Sequence, residues 1–163
     1  MIWNLLFGKK PDHAQTLYAA IVAAARQPVF YQDMRVPDTI DGRFEMVVLH
    51  LSLVVARLKG ERDVLRQQLV NCFCTDMDDN VRELGAGDLG VSKKVRRMAE
   101  AFQGRYNAYD AARDFTTMNA AIMRNVYGGI ATADTLAHYT LRAREKLAGQ
   151  ATEIIAGAKV QFL

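Results

Sequence analysis

Two cysteines and three prolines among 163 residues leave little material for a disulfide-stapled or loop-dominated chain. Cys72 and Cys74 stand on an apolar, helix-like stretch and match no spacing of disulfide or zinc ligands, so they read as reduced thiols in a reducing compartment. No stretch reaches the roughly 20 consecutive apolar residues that cross a bilayer. The apolar start MIWNLLF is too short for a secretory signal, its positive charges follow it, and no Arg- and Ser-rich transit segment occurs. A cytoplasmic protein, or a mature form, is expected. Charge of one sign is scarce as well. The net charge is only +3, so a nucleic-acid partner cannot rest on overall charge. Also missing are a nucleophile signature, an internal repeat and a glycine-rich phosphate loop. GAGDLG at 85–90 lacks both the spacing and a preceding strand, and composes a turn instead.

What is present is organised around RFEMVVLHLSLVVARLK, residues 43–59. At helical spacing, one face collects Phe44, Val47, Val48, Val54, Val55 and Leu58, and the opposite face Met46, Leu49, Leu53 and Ala56. His50 and Ser52 occupy the flanks, and charges stand only at the ends. A helix apolar on both faces needs cover on both faces. The four valines would also suit a buried strand, but length and the Gly60 stop favour helix. The expected fold is all-α, a single compact bundle of about six helices around this central buried one. Residues 1–10 form a separate arm, and 11–163 one domain.

The other helices follow from spacing. Pro11 opens one with Asp12 in its first turn, and Pro28 ends it before an extended connector at 28–40 anchored by Phe30 and Tyr31. Residues 61–84 form the next, and Ser92 caps another with Val95, Met98, Phe102, Tyr106 and Tyr109 inward. A segment at about 115–127 and a last helix from Thr132 or Asp134, reaching toward Ile154 and Ile155, complete the set.

In the arm, Ile2, Trp3, Leu5, Leu6 and Phe7 precede Lys9 and Lys10. Tryptophan among aliphatics beside lysines suits a membrane interface or an apolar client, and the alternative is an arm docked on its own core. Charge is also segregated: residues 61–90 carry three basic and seven acidic groups, and 91–113 carry six and two. The string Asp76-Met77-Asp78-Asp79 could supply an acid or hold a divalent cation, yet no second acidic cluster faces it in sequence. The blander reading is mutual compensation with Lys93, Lys94, Arg96 and Arg97 if the two helices fold back antiparallel. Part of that basic set, with Arg105, is expected to stay free for phosphates of RNA or lipid. His50 reads as a hydrogen-bonded core group, and His13 and His138 are too isolated to propose a metal site. No catalytic residue, metal or cofactor is expected.

VPDTIDGRFEMVVLHLSLVVARL (36–58) and DMDDNVRELGAGDLGVSKKVRRMAEAFQGR (76–105) resemble the two signature regions of the ubiquinol–cytochrome c chaperone family. RNVYGG (124–129) and LAHY (136–139) are similar to its C-terminal part. The resemblance spans roughly residues 11–145 and implies a non-enzymatic assembly factor for cytochrome b of respiratory complex III, here a bacterial relative peripheral to the inner membrane. It marks Asp41, Gly42, Arg43, Phe44 and His50 as family-motif positions, of which Asp41 can cap the central helix and Gly42 allow close approach. It also implies newly made cytochrome b as client, with ribosome or anionic lipid as anchor and, in mitochondrial members, a small partner protein. The rival reading is a lipid- or RNA-binding helical module working through residues 93–105.

Overall fold

A computed structural model describes residues 12–85 and 87–163. All regular structure among them is helical: α1 (His13–Ala25), α2 (Pro28–Gln32), α3 (Ile40–Arg57), α4 (Asp63–Glu83), α5 (Asp88–Ala111), α6 (Phe115–Asn125), α7 (Asp134–Ala148) and α8 (Thr152–Ala156). The all-α class is the one expected, with two single-turn helices, α2 and α8, added. The apolar arm at 1–10 lies outside the described residues.

Helix α3 is the axis. Every residue from Glu45 to Val55 is buried, His50 and Ser52 on the flanks included. Helices α1, α5 and α7 pack directly on it. Each fully buried leucine or valine there contributes about 1.5–3 kcal/mol over an exposed one. The helix begins at Ile40, three residues before the expected start, because Thr39 caps it: its Oγ1 accepts from the Gly42 N–H at 3.1 Å. Asp41 is therefore not the cap, but a first-turn carboxylate that suits the dipole. Gly42 is buried against the preceding loop, where a Cβ would lie 1.8 Å from the Pro37 carbonyl oxygen. Only glycine permits that approach. Past the other end, Gly60 adopts φ +79, the left-handed turn that redirects the chain into α4.

Four local expectations need correction. Asp12 is the N-cap of α1, accepting from the Ala14 N–H at 3.0 Å, and not a first-turn residue. The connector 28–40 is not extended throughout; Pro28, favoured in a first helical turn, starts α2. Ser92 caps nothing, since α5 starts at Asp88 behind an extended Gly87. The final helix does not run on to Ile155: it stops at Ala148, and α8 buries Ile155 separately. Arg57 stabilises that break. Its guanidinium donates to the Leu147 carbonyl at 3.0 Å and the Gln150 carbonyl at 2.8 Å, satisfying acceptors that a helix end leaves open. Arg144 does the same for α5, donating to the carbonyls of Tyr109 and Ala112.

Candidate functional site

Two adjoining hollows open at the N-terminal end of α3 and share Phe44 and Met98 as a common floor, with Ile40 between them at the lip. The first, about 380 Å³, continues over Val47, Met77, Val81 and Leu84 toward the C-terminal end of α4, with Arg26, Arg43 and Glu83 on its edge. The second, about 490 Å³, continues over Gly42, Ala101 and Val126, with Asp41, Glu45, Arg97 and Arg105 around it. Together they make one groove with an apolar floor and a charged rim. Ile40 is 68% exposed and Leu84 67%, so apolar surface also faces outward at its lip.

A buried carboxylate and its partner arginine line the second hollow. Glu45, on α3, accepts from Arg105 of α5 through both oxygens at 2.5 and 2.6 Å. The guanidinium carbon lies 5.9 Å from the centre of the Phe44 ring. Burial pushes the Glu45 carboxyl above its ordinary range while Arg105 pulls against that shift. The hydrogen bond to Glu45 in turn raises Arg105. Phe44 continues inward as an aromatic ladder, 6.0 Å to Phe73 and from there 5.3 Å to Phe102, which fixes α4 and α5 against α3.

The family-motif residues divide between groove and core. Asp41, Gly42, Arg43 and Phe44 line the groove; His50 does not. His50 is fully buried, with Nδ1 2.8 Å from the Met46 carbonyl and Nε2 2.7 Å from the Tyr139 hydroxyl. A carbonyl only accepts, so Nδ1 carries the proton and Nε2 accepts from Tyr139. Phe30 and Phe162 stand edge-on to the ring, at 5.2 and 4.8 Å. Burial lowers the imidazole pKa to about 4, leaving a neutral core group.

The basic set separates differently from expectation. Lys93, Lys94, Arg96 and Arg97 are all exposed, and none meets the acids of 76–83. Arg96 lies 3.6 Å from Glu100 on its own helix. Asp78 is held by Arg82 at 2.6 Å, and Arg82 also reaches Asp88 at 2.7 Å. The expected compensation between the two clusters is thus replaced by pairing within the turn and within each helix. Arg105 is not free either, being committed to Glu45, whereas Arg97 stands on the groove rim. Leu89, 93% exposed, precedes the bases in the first turn of α5.

The acidic string makes mostly local contacts. Asp76 accepts from the Tyr18 hydroxyl at 2.7 Å and from Asn80, beside a polar cleft of about 440 Å³ that also holds Asp12 and Asp79. Among the described residues, no group of three His, Cys, Asp or Glu is placed to hold a metal ion. Cys72 and Cys74 are free, half-buried thiols raised by burial. Sequence reading missed Glu45 as a buried carboxylate and Val81, Leu84 and Met98 as a groove wall. A signal existed on the partner side: Arg105 is a single charge between Ala101, Phe102, Ala108 and Tyr109 at helical spacing.

No match exists among curated proteins. Among solved structures, the crystal structure of the Cbp3 homolog from Brucella abortus superposes with a TM-score of 0.85 at 36% sequence identity, covering 100% of this chain and 97% of that one. Residues 32–162 match the family described as "Ubiquinol-cytochrome C chaperone", a span that contains the whole groove except Arg26. On the strength of that match, this chain belongs to the ubiquinol–cytochrome c chaperone family.

Proposed function

We propose that this protein is a non-enzymatic assembly chaperone that holds an apolar segment of newly made cytochrome b in the groove at the start of α3. One observation carries the reading: a family member keeps an open, apolar-floored groove flanked by the outward-facing Ile40 and Leu84. Apolar surface left uncovered on a monomer marks a binding face. A charged rim with Arg26, Arg43 and Glu83 at one hollow and Asp41 and Arg97 at the other suits the ends of a transmembrane segment, where charged residues cluster. The chain works at the cytoplasmic surface of the inner membrane, with residues 11–163 as one domain. No helix of the described residues is long and apolar enough to cross a membrane itself.

The decisive experiment is recovery of cytochrome b with the tagged protein from detergent-solubilised membranes. Ile40→Asp with Leu84→Asp, both at exposed positions, is expected to abolish recovery while leaving the fold intact. Undiminished recovery sinks the reading.

A second reading has its own observation. Lys93, Lys94 and Arg97 have no acid within 4 Å among the described residues, and Leu89 lies beside them. This face anchors the chaperone to anionic lipid, at about 1 kcal/mol per base near the surface. Lys93→Glu with Lys94→Glu, neither of which lines the groove, should release the protein from phosphatidylserine vesicles without touching cytochrome b recovery. Unchanged vesicle binding, or equal binding to neutral vesicles, removes this anchor.

A further inference from the structure

We propose that the groove end of the bundle faces the membrane, so that the groove opens into the headgroup layer of an anionic bilayer and receives its apolar segment sideways from lipid. The inference deepens the lipid-anchor reading and rests on it. Nine large apolar side chains stand exposed among the described residues, and four of them gather at this end. Ile40 begins α3, Leu84 is the C-cap of α4, and both line the first hollow. Leu89 follows five residues later in the first turn of α5, and Arg82 ties the two helix ends by reaching Asp88 at 2.7 Å. Ile130 completes the set. It stands two residues, at most about 7 Å, beyond Gly128, which lines the second hollow. The left-handed turn at Gly128 and Gly129, φ +60 and +78, holds it there, and its N–H donates to the Tyr127 carbonyl at 3.1 Å. Leu89 and Ile130, 93% and 92% exposed, are the two most exposed of the nine. Single exposed apolar residues are ordinary, but four around one opening make a surface that gains by leaving water.

Charge identifies the occupant. Around the opening, Arg43 is paired with Asp38, Arg82 with Asp78 and Asp88, and Arg105 with Glu45. The bases left without an acid within 4 Å among the described residues are Arg26, Lys93, Lys94, Arg97 and Arg124. Against them, the groove-lining acids left without a base are Asp41, Asp76 and Glu83, and Asp79 turns into the polar cleft beside α1. The surplus is positive. It suits anionic headgroups at the rim while the four apolar side chains reach the acyl boundary beneath. A segment that leaves the bilayer along this path keeps its apolar side chains out of water all the way to the groove floor.

Trp3 is the single tryptophan, so reporters go into a Trp3→Phe background of the full chain. On phosphatidylserine vesicles with brominated acyl chains, Leu84→Trp and Ile130→Trp should each lose most of their emission. Val64→Trp, at the opposite end of α4, should keep it. In vesicle flotation Ile130→Asp, outside the groove lining, should weaken affinity about tenfold or more, and Val64→Asp should leave it unchanged. Both variants add one negative charge, so the difference between them reads insertion. If the protein binds these vesicles and neither reporter is quenched, the basic face of α5 is the whole anchor and the inference falls alone. Quenching at Ile130 without quenching at Leu84 also overturns it, because the groove mouth then lies off the membrane. Absence of binding to phosphatidylserine vesicles removes the anchor and the inference together. Cytochrome b recovery from detergent should survive Ile130→Asp. Its loss would make Ile130 a contact for protein and overturn its place in the lipid surface.

Discussion

Lowering the pH should loosen this protein through His50, by an amount the structure sets. The folded imidazole has a pKa of about 4 because it is buried, against 6.5 for a solvated one. Below 6.5 the unfolded chain takes up a proton that the folded chain refuses, so stability falls as pH falls, and the loss saturates near 4. The full shift corresponds to about 3 kcal/mol, and roughly 2 kcal/mol of it is already lost at pH 5. Urea unfolding at pH 7.5 and pH 5.0 reads this directly: at a slope near 2 kcal/mol per M, the midpoint should drop by about 1 M. Carboxylates contribute too, so the measurement is made against His50→Leu. That variant starts less stable, with the Tyr139 hydroxyl and the Met46 carbonyl losing their partner, but it lacks the imidazole term. Its pH-dependent loss should be smaller than that of the native chain by those 2 kcal/mol. Equal losses in the two proteins would refute the buried neutral histidine. A variant that folds well but no longer recovers cytochrome b would return His50 to the functional set.

Gly42→Ala should cost about 3 kcal/mol or more in urea unfolding, since its Cβ has nowhere to go against Pro37; a cost below 1 kcal/mol refutes the close approach. Arg105→Met should cost about 3 kcal/mol by leaving Glu45 buried and unpaired, and Glu45→Met with Arg105→Met together should cost much less. The Arg105→Met deficit should also shrink on acidification: the carboxyl without its partner has a folded pKa raised further above its unfolded value, so it costs least where both states are protonated. Arg57→Ala should destabilise by roughly 2 kcal/mol and speed exchange of the amides of α8, which loses the latch at Leu147 and Gln150.

The axis of the fold was legible because eleven buried residues in a row leave an unmistakable mark in the sequence. The boundaries were less so. Thr39 and Asp41 are both good caps, and only the packing of Gly42 on Pro37 decides between them. The break after Ala148 has a local mark in Gly149, its C-cap, but the arginine that satisfies the carbonyl of Leu147 lies ninety residues away, which no local pattern carries. Of the site, the motif residues Asp41 to Phe44 were singled out, whereas the groove wall was not. Val81, Leu84 and Met98 belong to stripes that read as core, and which end of a stripe stays uncovered depends on where the neighbouring helix stops. Arg105 was counted with the free bases because helical spacing gives its flank but not its partner on α3.

The wrapping of α3 has a consequence for how cells make this protein. Its last covering helix, α7, ends at Ala148, ninety-one residues after Arg57. At the usual 5–20 residues per second of synthesis, the greasiest part of the nascent chain waits roughly 5–18 s for that helix, and longer still for Phe162. A member of a chaperone family is, for those seconds, in need of a shield itself.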